Sequence, residues 1–164
     1  MNEIILAMMV WISSVTGLNV PEIPSFPPSY VTESRLKYLM NGCSEELNTE
    51  RCHAITSEKD TDSILGVYDH KTKRIYLNIA TFSWENEVQN SILVHELVHH
   101  MQFANNIPYK CLGELEELAY DVQNKWLLEN GKRDVYKELD ISPLWILVIK
   151  ACNTSNSRWG APPD

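Results

Sequence analysis

The sequence is short of positive charge: 14 Lys and Arg stand against 22 Asp and Glu, for a formal net charge of −8. So acidic a chain lacks the basic patch that phosphate recognition needs, which excludes nucleic acid as its main partner. No Lys or Arg precedes Arg35, so the apolar run Ile4–Trp11 lacks the charged start of a secretory signal, and no small-residue cleavage site follows it. The run is also too short to span a bilayer. Ile4, Ala7, Met8, Trp11 and Val15 recur at helical spacing, which predicts an uncleaved N-terminal helix over residues 1–17 with that face packed on the domain. This reading favours a cytoplasmic location; a cleaved signal would instead mean a secreted or periplasmic one. Cys43, Cys52, Cys111 and Cys152 form no C-x-x-C pair, which argues against a structural zinc site. Cys43 and Cys52 flank a polar segment and can staple it, although four reduced, mostly buried thiols are the favoured expectation.

What remains is ordinary globular composition, 44% hydrophobic and 22% charged over 164 residues, enough for one domain (1–164) with a proper core. Residues 18–30 hold four of the eight prolines and read as an extended strap. Tyr30-Val31 begins a short strand, and Thr32 caps a helix over Glu33 to Met40 that Asn41-Gly42 ends. Residues 44–62 are polar and read as loop. Ile64–Asp69 and Arg74–Ile79 are β-prone runs joined by His70–Lys73, a hairpin in which Ile75, Leu77 and Ile79 alternate with polar neighbours. A long helix capped by Ser83 or Asn86 runs to about Asn105 and is apolar on most sides in its middle, as a central helix is. A second runs from about Leu112 to Asn130, stopped by Gly131. Ser142-Pro143 opens a last core helix, and residues 153–164 read as a flexible tail. The expected class is therefore α+β, mainly helical, with a small β-hairpin or sheet beside the central helix.

The chemistry lies on that helix, in His95-Glu96-Leu97-Val98-His99. Histidines four apart project from one helical face, one turn apart, and can share a zinc ion through nitrogen. Glu96 lies about 100° round from His95, where it can reach a water on the metal without being a ligand. This is the H-E-x-x-H arrangement, in which the metal acidifies a water and the glutamate takes its proton as general base. A third ligand is required. His100 faces another way, and His53 and His70 lie upstream in loop and hairpin. The better candidates are Glu114, Glu116 and Glu117 on the next helix. Leu115, Leu118 and Ala119 mark its inward side, and Glu116 lies between them by helical phase, with Glu114 and Glu117 towards the flanks. Cys111, just before that helix, reads as a packing thiol.

With His95-Glu96-x-x-His99 followed by Glu116-x-x-Ala119, the chain resembles the gluzincin type of zinc metallopeptidase. Over most of its length, from Trp11-Ile12 and Thr16-Gly17-Leu18 through Ile75–Leu77 and Leu93–Gln102 to Glu114–Gln123, it resembles small bacterial zincin-like proteins of unknown function. The resemblance implies one zinc ion on His95, His99 and Glu116, with the Ala119 register selecting Glu116. It implies Glu96 as general base and then acid in hydrolysis of a peptide-type amide, with a peptide or protein as substrate. It also implies a substrate strand laid along Arg74–Ile79 by β-augmentation. Tyr76, Tyr109, Tyr120 and His100 are candidate substrate or oxyanion contacts. Many gluzincins carry an acid after the alanine to orient a metal histidine; here Tyr120 stands there, and Asp121 or a backbone carbonyl is expected to substitute. Two rival readings are a catalytically silent zincin-fold zinc-binding or regulatory module, and a helical domain whose histidines bind no metal.

Overall fold

The computed structural model describes residues 2–24, 27–41, 43 and 64–152, apart from the Trp145 side chain. The loop expected over 44–62, the tail at 153–164, His53 and the Cys43–Cys52 staple fall on or reach residues outside that set. The elements are α1 (Asn2–Thr16), β1 (Ser29–Val31), α2 (Glu33–Met40), β2 (Gly66–Asp69), β3 (Arg74–Asn78), α3 (Glu87–Ala104), α4 (Leu112–Glu129), α5 (Val135–Glu138) and α6 (Pro143–Lys150). The architecture is α+β, mainly helical, with a small sheet of three strands among the described residues.

Helix α3 is the centre. Asn86 starts it: its side chain accepts the Val88 N–H at 2.9 Å, so Asn86 rather than Ser83 is the cap. Every residue from Asn90 to Gln102 is buried, because α1, α4, β2 and β3 all pack on it. Leu93, Val94, Leu97, Val98 and Met101 are fully covered and join Ile75, Leu77, Ala119 and Val122 in one core. Each such side chain contributes roughly 1.5–3 kcal/mol by leaving water.

Helix α1 packs through a face that only partly overlaps the expected one. Ile5, Met8, Met9 and Ile12 are buried, Trp11 and Val15 pack part-exposed against the same core, and Ile4 is 49% exposed. In so uniformly apolar a segment, spacing does not mark one face; the packing against the rest of the domain does. Gly17 then takes φ +77°, a left-handed turn open to glycine, and ends the helix. The strap that follows is tied to α3. The Asn19 N–H donates to Asn105 Oδ1, and Asn105 Nδ2 donates back to the Asn19 carbonyl, both at 2.9 Å. His100 Nε2 donates to the Glu22 carbonyl at 3.0 Å, which leaves His100 Nδ1 to accept the Tyr68 hydroxyl at 3.2 Å.

The sheet order is β1-β3-β2, with β1 parallel and β2 antiparallel to β3. The hairpin stands as expected, but Arg74–Asn78 is its central strand. Both of its edges are taken, so no substrate strand can add along it, and Tyr76 sits half-buried in mid-sheet. The pairing that overturns the expectation joins Ser29–Val31 to Tyr76–Asn78 across a long stretch of chain, and hydrophobic alternation within one strand does not reveal it.

Helix α6 begins at Pro143 as expected and packs on the first turns of α4. A disulfide joins Cys111 to Cys152, and Cys43 is also disulfide-bonded, which corrects the expectation of reduced thiols. Cys111 and Cys152 are 41 residues apart, so the bridge removes chain entropy worth about 4 kcal/mol from the unfolded state. Replacing both with Ser is expected to lower stability by about 2–4 kcal/mol. Denaturant unfolding with and without reductant checks this, since reductant should lower the stability of the parent but hardly alter its contribution at this bridge in the variant.

His100 supplies a second test. Burial holds its imidazole below the ordinary histidine value, only partly offset by the Glu22 carbonyl. The unfolded chain therefore takes up a proton near pH 6.5 that the folded chain resists. Stability is full above that pH and falls as pH drops towards the folded value. Urea titrations at pH 7 and pH 5 should show the loss, and His100→Gln should make it smaller; an equal loss in the variant would remove His100 as its source.

Candidate metal centre

Facing residues of α3 and α4 build the site. His95 and His99 lie one turn apart, edge to face with ring centroids 4.8 Å from each other, and their Nε2 atoms are 3.1 Å apart. From α4, one Glu116 oxygen lies 3.1 Å from His95 Nε2 and the other 3.2 Å from His99 Nε2. The three residues are each below a tenth exposed. They form the group able to hold a metal ion among the described residues.

The donor set suits a zinc ion in charge and spacing. Bonds of about 2.0–2.1 Å in a tetrahedron put neighbouring donors about 3.3 Å apart, close to the spacing found. Two neutral imidazoles and one carboxylate, one of the ligand sets that leave a fourth position open, would leave a dication half-neutralised. Without a metal, a proton must lie among these atoms. Burial alone would push the His99 imidazole down, but the Glu116 carboxylate against it carries it up to about 9. Burial likewise would raise Glu116, yet His99 and His95 hold its carboxyl well below the usual range.

The other two acids weighed as ligands are turned away. Glu114 accepts the Lys110 N–H at 2.7 Å, and Glu117 pairs with Lys150 of α6. Helical phase separates the three as the apolar stripe of α4 implied. Asp121 is exposed and does not orient a histidine. That role falls to two glutamines: Gln123 Oε1 lies 3.0 Å from His95 Nδ1, and Gln102 Oε1 lies 3.0 Å from His99 Nδ1. Their signal was available in the sequence. Gln102 is three residues after His99, and Gln123 is seven after Glu116, so each falls on the face of its helix that carries the cluster.

Glu96 is held by strand β2. The Asn78 N–H donates to the Leu65 carbonyl at 3.0 Å, and antiparallel alternation then turns the Gly66 and Tyr68 amides outward from the sheet. The Tyr68 N–H hydrogen-bonds the Glu96 carboxylate. Burial raises the Glu96 carboxyl above its ordinary value, with Glu116 adding to the rise and the two histidines and the Tyr68 N–H opposing it. Gly66 makes the approach possible, because a Cβ there would come within 2.9 Å of both Glu96 Oε1 and Ile92 Cγ2.

Of the four candidate contacts, Tyr120 reaches the cluster. Its ring packs on His95 with centroids 4.6 Å apart, and burial together with Glu116 and Glu96 pushes its hydroxyl far up. His100 turns instead to the strap, Tyr109 packs on Phe103 at 5.7 Å, and Tyr76 belongs to the sheet. His70 stacks on Phe103 at 4.9 Å and has no part in the cluster. Cys111 is buried, but in the disulfide to Cys152 rather than as a packing thiol.

The chain belongs to a family described as a domain of unknown function, DUF6647, whose model matches residues 29–157. No curated protein and no solved structure matches it. The matched span contains α3, α4 and all the residues of the cluster.

Gly66→Ala is expected to cost about 1–3 kcal/mol, the range for overpacking, because Ile92 and Glu96 must both yield. Chemical denaturation measures it. A Val67→Ala variant, on the same strand without that close approach, serves as the control.

Proposed function

We propose that this chain is a zinc-dependent hydrolase of the metallopeptidase type with a zincin-like fold, cleaving a peptide-type amide bond. The observation that carries the reading is the closed triangle of His95 Nε2, His99 Nε2 and the Glu116 carboxylate, with sides of 3.1–3.2 Å and an unligating glutamate, Glu96, beside it. When bound there, zinc would polarise the scissile carbonyl and acidify a water.

The chain's own residues supply the rest. Glu96 accepts the proton of the attacking water on a carboxylate oxygen and delivers it to the leaving nitrogen. Burial, by raising its carboxyl, brings its proton affinity closer to that task. The Tyr68 N–H holds the carboxylate in place without donating a full charge to it. Tyr120 restricts the His95 ring and brings a neutral hydroxyl near Glu116 and Glu96, where it can donate to an oxygen that gains charge. Among the described residues β2, rather than β3, offers the sheet edge beside Glu96.

Burial favours a second reading. His95, Glu96, His99 and Glu116 are each under a tenth exposed, which also suits a zinc-binding or regulatory module without turnover.

Metal analysis of untagged protein is expected to find about one equivalent of zinc, lost in His99→Ala. Against a mixed peptide library, the loaded protein should cleave, and Glu96→Gln should keep its zinc while losing about 10²–10⁴-fold in rate. Zinc without cleavage, unchanged by Glu96→Gln, would support the silent module. A parent protein that takes up no zinc would sink both readings.

A further inference from the structure

The two glutamines behind the histidines have partners that act in one sense only. Gln102 Nε2 donates to the Leu115 carbonyl at 2.9 Å, and a carbonyl can only accept. The Gln102 oxygen is therefore the atom turned to His99 Nδ1, and that nitrogen carries a proton. The second chain of bonds is longer but equally directed. The Ser91 hydroxyl donates to the Val88 carbonyl at 2.7 Å, so its oxygen accepts Gln123 Nε2 at 3.1 Å. The Gln123 oxygen then faces His95 Nδ1, which carries a proton too.

We propose that Gln102 and Gln123 are positioning residues of the metal centre: each fixes its imidazole with Nδ1 protonated and Nε2 presented to a divalent cation, and Gln102 also ties the helix of His99 to the helix of Glu116. This rests on the metal-centre reading above. Leu115 is the residue before Glu116, so the one amide of Gln102 sets the ring of one ligand and the backbone beside another. Gln123 acts on His95 alone, through bonds that return to α3.

Neutral amides also suit the charge of the pocket. A dication is already matched by Glu96 and Glu116, and a further buried carboxylate would leave uncompensated negative charge away from water. Glutamine gives the ring N–H its acceptor without that excess.

Zinc affinity by competition with a chromophoric chelator tests the proposal. Gln102→Leu and Gln123→Leu are each expected to weaken zinc binding by about 10–100-fold, Gln102→Leu the more. Gln102→Glu keeps an acceptor for His99 but loses the donor to Leu115, so its loss should fall between that of Gln102→Leu and the parent. Cobalt-loaded protein supplies a readout separate from affinity. The parent should show two slowly exchanging imidazole N–H resonances, and each leucine variant should lose its own. Ser91→Ala, which leaves both glutamines in place, guards against a leucine variant that fails to fold; it should speed exchange of the His95 N–H alone. Zinc affinity within twofold of the parent, with both resonances retained in the folded variants, would overturn the proposal while leaving the metal centre intact. Failure of the parent to bind zinc would overturn the metal-centre reading and the proposal with it.

Discussion

Two imidazole nitrogens lie 3.1 Å apart, and each has its own oxygen of one carboxylate within 3.2 Å, in a largely buried setting. Such an arrangement repels itself unless positive charge lies among the atoms. Much of the surrounding structure answers this constraint. Helix α3 is covered from Asn90 to Gln102, so its polar groups must find partners inside the protein. His95 finds Gln123, His99 finds Gln102, His100 finds Tyr68 and the strap, and Glu96 finds the Tyr68 amide. A helix this deeply buried is normally lined with apolar side chains throughout. Here a row of titratable groups runs through it, and neighbouring elements compensate each one.

The two buried glutamates show how finely those neighbours discriminate. Glu116 and Glu96 are the same residue type at similar depth, yet their proton affinities move in opposite directions. Burial raises both; Glu116 is hydrogen-bonded by both imidazoles, which more than reverse the effect, whereas Glu96 feels the same imidazoles without hydrogen bonds from them and has Glu116 adding to the rise. Paired groups whose environments pull them apart mark a division of roles in acid–base sites. Glu116 is suited to remain an anion and hold a cation, and Glu96 to exchange a proton.

What was legible in the sequence was local. Helical phase brought His95 and His99 to one face and chose Glu116 over its neighbours, because the apolar stripe of α4 had to face α3. Asn86, Thr32 and Pro143 marked helix starts, since a cap depends on residues within one turn of it. Features that depend on distant pairing escaped. Arg74–Asn78 looked like an edge until Ser29–Val31 was found beside it. The bridge from Cys111 to Cys152 is one of three pairings that four cysteines allow. Gly66 read as one more residue of a β-prone run, and its reason, the seat of Glu96, lies on another element. The support for His95 was sought in Asp121 because acids commonly fill that role; a neutral amide two residues further on does so instead.

Glu116, the third side chain of the cluster, places the greatest demand on the fold. His95 and His99 keep their relation through the hydrogen bonds of a single helix, but Glu116 belongs to another, so its distance from them depends on how α4 docks on α3. Three ties converge on the first turns of α4. Gln102 holds the Leu115 carbonyl from α3. The disulfide anchors Cys111, at the N-cap position, to the end of α6. Between them, Gly113 lets the Ile149 carbonyl of α6 approach where any side chain would collide. Tyr120, one turn after Glu116, then lies between that packing and the His95 ring: Ile146 and Ile149 anchor the apolar group it joins, and its ring rests on His95. Helix α6 thus bears on the geometry of the cluster without contributing a donor to it. Tyr120, standing where the resemblance led an acid to be expected, is here the link between the clamp on α4 and the His95 ring.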